Sequence, residues 1–379
     1  MFKFLITKKS KKSRARLGVM ETDHGSIQTP CLVTVATQGT VKALPHRLAK
    51  EAGTSLIIAN TLHLHLKPGE EVVKKAGGLH KFMGWDGPIM TDSGGYQVLS
   101  LGFGRDHGIS KVMRHGSDVT IKSGQQPRGV KITEEGVAFR SPDDGSRLFL
   151  SPEESIHIQE HIGADMIFAF DECTSTPADK EYTRLSMERT HRWADRCLAA
   201  HGRRRQALFG IVQGGRFEDL RRQSARFIGA RPFAGFGIGG EFGSDKKLMA
   251  DVLRWTIDEL PDAKPRHLLG IGHPDDLLTI IKEGVDTFDC TAPTHYARTG
   301  TAFTSSGRVN IGNAVFKNDP GPLDRKCGCF VCTEHSRRYL HHLTRAKEIL
   351  GMTLLTFHNL NFFHAEVARI RRDIRAGKV

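Results

Sequence analysis

Residues 207–240 read ALFGIVQGGRFEDLRRQSARFIGARPFAGFGIGG, and this stretch decides the fold class. It begins with a near-continuous apolar run that ends in Gln213 and continues with an amphipathic segment over residues 217–228. A second apolar run follows and ends in Gly240. Near-continuous apolar runs are typical of strands that are buried on both faces of a parallel sheet. The stretch therefore predicts a strand, a helix and a second strand parallel to the first.

The same alternation continues in both directions along the chain. Eight apolar runs end in Ala, Gly, Asn, Gln, Asp or Ile: Cys31–Ala36, Leu56–Asn60, Pro88–Asp92, Asp165–Asp171, Ala207–Gln213, Gly235–Gly240, His267–Ile271 and Val285–Asp289. Helix-like segments follow several of them, over residues 152–161, 180–201, 217–228, 245–260, 274–283 and 360–375. Eight such units predict an α/β fold of the (β/α)8 TIM-barrel type. A doubly wound open sheet is the main alternative, but it usually has a Gly-rich phosphate loop after its first strand, and this chain shows none.

Two segments interrupt the alternation. Residues at about 103–130 are Gly-rich and basic, without clear periodicity, and we expect an insertion there. Residues at about 306–359 follow the last predicted strand and include a cysteine cluster, which predicts a C-terminal zinc-binding subdomain. We expect the whole chain, residues 1–379, to form one barrel domain with these two additions.

The charge balance favours a polyanionic partner. The 379 residues carry a net charge of +13, and the isoelectric point is about 9.5. Residues 1–16 hold seven Lys or Arg and no acid, and residues 325–379 hold eleven Lys or Arg against four Asp or Glu. A solvated tail and a solvated helix face would explain this charge equally well if it is taken alone. The sequence contains no membrane-length apolar run and no secretion signal, so we expect a cytoplasmic protein.

Three cysteines lie close together near the C-terminus. Cys327, Cys329 and Cys332, with His358 further on, would supply three thiolates and an imidazole. This is a closed tetrahedral set suited to structural zinc, with no position left open for water. The histidine is the less certain member of the set, because four other histidines lie nearby: His335, His341, His342 and His364.

Three carboxylates follow predicted strands. Asp92, Asp171 and Asp289 each stand at or near the carboxyl end of an apolar run. In a barrel these ends converge on one mouth, where active sites are built. Two carboxylates that face one anomeric carbon suit glycosyl transfer, since one can attack while the other moves protons. Any one of them alone could simply cap the next helix, but three at successive barrel mouths favour a catalytic site.

Several short strings together resemble the tRNA-guanine transglycosylases. They are Ala59–Leu64 (ANTLHL), Asp92–Gln97 (DSGGYQ), Phe170–Cys173 (FDEC), Gln213–Gly215 (QGG), Ile238–Gly240 (IGG), Phe288–Cys290 (FDC) and the cysteine cluster. Their order and approximate spacing match that family along nearly the whole chain, from about Leu5 to Arg375. The resemblance implies an enzyme that exchanges the wobble guanine of GUN-anticodon tRNAs for queuine or a 7-deazaguanine precursor. It also implies structural Zn²⁺ and a homodimer.

The resemblance also implies the catalytic roles of individual residues. Asp289 would attack the sugar and form a covalent tRNA adduct. Asp92 would act as general acid and base for the leaving and entering bases, and Asn60 would orient it.

For the base pocket, the resemblance implies that Asp171 accepts hydrogen bonds from the N–H groups of the base. Gln213 and the backbone N–H of Gly240 would donate to its carbonyl oxygen. Tyr96 would stack on one face of the base, and Leu269 would cover the other.

Further positions belong to the implied site or depart from the family pattern. Cys173 ends one of the matching strings and is assigned to the base site, and Arg298 would contact the anticodon loop. His295 stands where bacterial relatives tend to have Arg, which puts an anticodon contact there in doubt. Glu241 replaces a usual Leu, and Gly243 stands where bacterial relatives often have Val. Gly243 would leave room for the bulky substituent of queuine, and Glu241 could pair with the amine of the incoming base.

Two other functions remain as alternatives. An archaeal-type transglycosylase that acts elsewhere in tRNA would usually carry an extra C-terminal RNA-binding domain, which we do not recognise after the zinc segment. A non-catalytic RNA-binding partner subunit would be expected to lack the nucleophile or the base, whereas Asp289 and Asp92 are both present.

Overall fold

Eight parallel strands form a closed barrel. The computed structural model describes residues 2–96, 129–142, 144–174, 178–203, 205–240, 242 and 246–379. The strands are β4 (Cys31–Val35), β5 (Ile57–Ala59), β6 (Ile89–Thr91), β10 (Met166–Phe168), β11 (Ala207–Val212), β12 (Gly235–Ile238), β13 (Arg266–Leu268) and β14 (Thr287–Cys290). Each strand is parallel to its two neighbours in the barrel order β10-β11-β12-β13-β14-β4-β5-β6. Each lies in or overlaps one of the eight predicted runs, so the barrel is confirmed and the open sheet is excluded.

Helices connect the barrel strands and cover their outer faces. They are α1 (His46–Glu51), α2 (Thr61–Leu66), α3 (Glu70–Lys75), α4 (Leu79–Met83), α5 (Pro152–Ile162), α6 (Lys180–Ala200), α7 (Glu218–Gly229), α8 (Lys246–Ile257), α9 (Pro274–Lys282), α10 (Ala292–Arg298), α11 (Phe330–Glu334), α12 (Arg337–Ala346) and α13 (Ile349–Arg375), with a 3₁₀ turn at Ala314–Phe316. Ser151 caps α5 as the sequence predicts, because its Oγ accepts a hydrogen bond from Glu154 N at 3.1 Å.

An antiparallel sheet covers the amino end of the barrel. It consists of β1 (Lys3–Lys9), β2 (Arg16–Thr22) and β3 (Gly25–Thr29). Met20 and Ile27 are fully buried in the apolar cluster that fills the barrel interior. The basic N-terminal segment is not a free tail, because β1 pairs with β2 although its lysines are exposed. The sheet leaves the opposite mouth of the barrel as the place for a site.

A histidine–carboxylate cluster ties this sheet to the barrel. Asp165, just before β10, holds His24 Nδ1 at 2.6 Å and His80 Nε2 at 3.2 Å. Three such groups could in principle bind a metal ion. The two rings are stacked with centroids 3.5 Å apart, whereas two imidazoles on one tetrahedral ion would have centroids about 5 Å apart. The geometry instead fits hydrogen bonds between Asp165 and both histidines, which hold the sheet against the barrel.

The sequence did not predict two small sheets. One is formed by β7 (Val130–Ile132), β8 (Val137–Arg140) and β9 (Arg147–Leu150), and the other is the hairpin of β15 (Thr301–Thr304) and β16 (Gly307–Asn310). The insertion predicted at about 103–130 lies outside the described residues except for 129 and 130, and Val130 already begins β7.

The last helix is longer than predicted. The expected start at residue 360 is wrong, because α13 runs from Ile349 to Arg375. Its first turns contain Gly351, Thr353 and Thr356, residue types with low helix propensity. In the structure, a Cβ at Gly351 would lie 3.0 Å from Leu343 Cβ in α12. The glycine allows the two helices to approach closely, and tertiary packing outweighs propensity.

Candidate active site

A cavity of about 390 Å³ opens at the carboxyl ends of the barrel strands. Its apolar floor includes Phe168 and Ile211, and polar groups surround it. The lining residues are Val35, Thr37, Ile58, Ala59, Asn60, His63, Asp92, Ser93, Tyr96, Phe168, Asp171, Cys173, Ile211, Gly239, Gly240, Leu269, Gly270, Asp289 and Thr291. The three carboxylates that the sequence places at strand ends thus share one cavity.

Asp92 follows β6 and is held by its neighbours. Its Oδ2 accepts from Asn60 Nδ2 at 2.6 Å, and its Oδ1 accepts from the backbone N–H groups of Thr61 and Gly94, each at 3.1 Å. Burial raises the pKa of Asp92 to about 7, and the nearby charge of Asp289 adds to this effect. The N–H donors lower the pKa but do not outweigh burial. Asp92 can therefore hold or release a proton near neutral pH.

Asn60 has two roles in the same loop. Its Oδ1 accepts from His63 N at 2.9 Å and so caps α2, while its Nδ2 contacts Asp92. The helix cap fixes the side chain, and the fixed side chain orients the carboxylate. Asn60 can therefore cap α2 and hold the Asp92 carboxylate at the same time.

Asp289 lies in β14, and two nitrogens converge on its Oδ1. Gly270 N donates to it at 2.7 Å, and His267 Nε2 lies at 3.3 Å. His267 is fully buried, and its Nδ1 lies 3.0 Å from Thr287 Oγ1. Since an ionised carboxylate can only accept, Nε2 is the donor in the contact with Asp289. These contacts fix the orientation of the Asp289 carboxylate.

The sequence reasoning did not single out His267. It stands at the start of an apolar run and looks like an ordinary strand residue. One signal could have found it: side chains two apart in a strand point the same way, and Leu269 lines the cavity.

Asp171 and Gln213 form a buried pair on the far wall. Asp171 accepts from Gln213 Nε2 at 2.6 Å and from Ser93 Oγ at 2.9 Å. Gln213 Oε1 is buried and has no hydrogen-bond partner within the described part of the chain. Gly95 packs against this wall, and a Cβ there would lie 2.4 Å from the Asp171 carbonyl oxygen, which only glycine avoids. Asp171 thus lines the cavity, whereas Gln213 is buried beside it and is not among the lining residues.

The remaining predicted site residues fall into three groups. Tyr96, Cys173 and Leu269 line the cavity together with Gly240. Arg298 ends α10 and donates to Thr294 O at 3.1 Å, and it is not among the residues that line the cavity. Two further positions, Glu241 and Gly243, lie outside the described residues.

The cysteine cluster comes together with His358, and the four ligand atoms lie within 4.8 Å of one another. His358 Nδ1 lies 3.6 Å from Cys329 Sγ and 3.4 Å from Cys332 Sγ. Tetrahedral zinc with ordinary bond lengths would place sulfur and nitrogen about 3.6 Å apart. His358 Nε2 donates to Phe303 O at 2.8 Å, which turns Nδ1 toward the thiols. The cluster can hold a metal ion such as zinc.

Other nearby histidines are engaged elsewhere. His364 Nε2 lies 3.2 Å from both Thr34 Oγ1 and Thr54 Oγ1, and His341 Nδ1 lies 2.9 Å from Ile311 O. Of the described residues, only His358 joins the three cysteines in a group with metal-ligand spacing. Among the neighbouring histidines, His358 is therefore the one placed to complete the cysteine cluster.

The metal cluster is connected to the mouth of the barrel. Asn359 follows His358 in α13, and its Nδ2 donates to Pro293 O and Thr301 O, each at 3.0 Å. Its Oδ1 accepts from Phe303 N at 2.9 Å. Pro293 belongs to α10, the helix that directly follows the Asp289 strand.

Comparison with known proteins assigns this architecture to a family. The family model described as "TGT: Queuine tRNA-ribosyltransferase" matches residues 10–379. The chain belongs to this family. Curated family members similar to it include a putative queuine tRNA-ribosyltransferase of Archaeoglobus fulgidus, 46% identical over 96% of this chain and 94% of the relative. The queuine tRNA-ribosyltransferases of Desulforamulus reducens and Caldanaerobacter subterraneus are 47% and 46% identical and are covered over 95% and 94% of their lengths.

Membership of the family confirms the enzyme class predicted from the sequence, a glycosyltransferase of the pentosyltransferase type. Among the described residues, no helix has both the length and the apolar character needed to cross a membrane.

Proposed function

We propose that this family member exchanges the wobble guanine of GUN-anticodon tRNAs for a 7-deazaguanine base through a covalent Asp289 intermediate. One observation carries the proposal: Asp92 and Asp289 line one cavity with Asp171, and Asp171 forms a pair with Gln213, which is buried beside it. The two carboxylates suit glycosyl transfer, and the pair suits the edge of guanine. Both carboxylates in one cavity also argue against a non-catalytic subunit.

The chemistry divides into two displacements. In the first, an Asp289 oxygen attacks the sugar C1′, the bond from C1′ to guanine N9 breaks, and Asp92 gives its proton to the leaving base. In the second, Asp92 takes the proton from the entering base, whose ring nitrogen attacks C1′ and releases the Asp289 carboxylate. Each residue returns to its starting state, so the exchange needs no redox or nucleotide cofactor.

Recognition of the base follows from hydrogen-bond complementarity. Guanine offers N–H donors beside a carbonyl acceptor. Its N–H groups can donate to Asp171 in place of Gln213 Nε2, and the released Gln213 amide then donates to the carbonyl, together with Gly240 N–H. Tyr96 and Leu269, both at the cavity wall, are proposed to cover the two faces of the base. The nucleotide must first be turned out of its stack to reach this depth.

The wider assembly is also a proposal. We propose that Zn²⁺ is the metal of the cysteine cluster, where it would hold Cys327, Cys329, Cys332 and His358 without taking part in the exchange. We propose one domain over residues 1–379, a homodimer, and a cytoplasmic location. Arg298 and the basic C-terminal region would contact the anticodon loop.

The direct test is incubation with tRNA and labelled guanine, followed by competition between bases. We expect label at the wobble position of GUN-anticodon tRNA and none in a tRNA with another anticodon. The 7-deazaguanine precursor carries an aminomethyl group in place of the larger substituent of queuine. When queuine and this precursor are offered at equal concentration, we expect from Gly243 that queuine is used directly, and Gly243→Val should reduce that use. Gly243→Ala serves as the smaller control. Strong preference of the wild type for the precursor would contradict queuine use, whereas absence of wobble labelling would overturn the function itself.

The raised pKa of Asp92 predicts the pH dependence of the first displacement. Asp92 must be protonated to assist the leaving base, and with a pKa of about 7 it stays protonated up to neutral pH. Adduct formation in a single turnover should therefore be level from pH 5.5 to 6.5 and fall about tenfold per pH unit above about 7.5. Asp92→Asn should be much slower and should lose this dependence. An unchanged pH profile in Asp92→Asn would assign the proton to another group.

A further inference from the structure

A buried arginine connects the two loops that face the base. Arg221 lies in the first turn of α7 and is fully buried. Its Nε donates to Gly215 O at 2.6 Å, in the loop after β11. Its Nη1 donates to Gly239 O at 2.8 Å, in the loop after β12. One guanidinium therefore joins the loop that carries Gln213 to the loop that carries Gly240.

The contact with Gly239 concerns the peptide that faces the cavity. The carbonyl of Gly239 and the N–H of Gly240 belong to the same peptide group. A Cβ at Gly240 would lie 2.7 Å from Gln213 Oε1 and 3.1 Å from Arg221 Nη2, and the residue has φ of +82°. This peptide is thus packed between the glutamine amide and the guanidinium, with no room for a side chain.

Arg221 keeps its charge in this buried position. Burial lowers the pKa of Arg221 to about 10, which leaves the guanidinium protonated at neutral pH. Its Cζ also lies 5.2 Å from the ring centroid of Phe242. A charged donor on a peptide carbonyl withdraws electron density from the attached N–H, and hydrogen bonds in such a chain strengthen one another by about 10–30% each.

We propose that Arg221 is a positioning residue for base recognition: its guanidinium orients and polarises the Gly239–Gly240 peptide, so that Gly240 N–H binds the carbonyl oxygen of the base strongly. The inference rests on the proposed function, and it explains why the enzyme would select a purine with a carbonyl oxygen at position 6. The same N–H stabilises the negative charge that guanine develops as it leaves.

The test compares guanine with 6-thioguanine, which differs only in the atom that would accept from Gly240 N–H. Sulfur accepts hydrogen bonds weakly, so a stronger donor favours guanine over its thio analogue. The full-length enzyme is assayed with tRNA and each base, as wild type, Arg221→Lys and Arg221→Gln. We expect the KM for guanine to rise about tenfold or more in Arg221→Gln, and the KM for 6-thioguanine to rise less than about threefold. Arg221→Lys, which keeps a charge, should recover part of the discrimination.

The next residue along the helix supplies a matched control. Arg222 is on the surface and pairs with Glu218 at 2.9 Å and Glu259 at 3.1 Å. Arg222→Gln should leave both KM values unchanged. If Arg221→Gln proves too unstable to assay, the comparison is decided by Arg221→Lys. An equal change for the two bases, or none, would overturn the role of Arg221 while leaving the proposed function intact, whereas a wild type that incorporates neither base would refute the function.

Discussion

Asp289→Ala is expected to abolish base exchange by at least about 10⁴-fold while tRNA affinity stays within about threefold of wild type. The loss is large because no other step can replace the covalent bond to C1′ that we propose for Asp289. Affinity is retained because phosphate contacts, which are spread over the surface, supply most of the binding energy. The carboxylate is also the acceptor for Gly270 N and His267, so its removal leaves two donors at the cavity wall.

Two measurements together check this prediction. Denaturing gels of wild type with tRNA should show a slowly migrating adduct, which Asp289→Ala should lack, and filter binding should give similar affinities for both proteins. Asp275→Ala is a suitable control, because this exposed aspartate lies on α9 outside the cavity. An adduct that persists in Asp289→Ala would move the nucleophile to another residue, and Asp92 would be the first to examine.

The second large effect that we expect is the destabilisation of the protein when the metal is lost. Carefully purified protein should contain one zinc per chain, and Cys329→Ser should lower the free energy of unfolding by several kcal/mol, since the binding energy of structural zinc is largely folding energy. The activity per folded molecule should change far less than the stability. Elemental analysis and thermal unfolding provide the two readouts.

Cys31→Ser is the matched control for the metal ligand. Cys31 is also a buried thiol, but it lies in β4 and belongs to the barrel interior. Its substitution removes packing without touching the cluster and should cost about 1 kcal/mol. Equal destabilisation by both substitutions, together with metal-free protein, would contradict the zinc assignment.

The barrel could be predicted because its signal is local. Each strand is an apolar run that is buried on both faces, and polar residues at the strand ends mark the mouth. Asp92, Asp171 and Asp289 emerged in this way, and the structure places all three at one cavity.

Other features depend on contacts that a sequence does not display. The N-terminal strands look basic and solvated, and only the burial of Met20 and Ile27 inside the barrel shows why they form a sheet. Arg221 lies in a polar helical segment where an arginine is normally exposed, and it donates to carbonyls in the loops that follow two neighbouring barrel strands. His358 could be chosen over its neighbours only when α13 brought it to the cysteines.

The hydrogen bonds of Asn359 connect the metal cluster to residues beyond its own ligands. They join the helix that carries His358 to Pro293, four residues after the proposed nucleophile. Without the metal this segment would fold less often, and a chain in which it stays unfolded would leave the helix after the proposed nucleophile without this support. Metal supply would then act as a quality check on newly made enzyme. In a cell short of zinc, the number of folded molecules would fall, and the shortage would lead to unmodified anticodons and altered decoding.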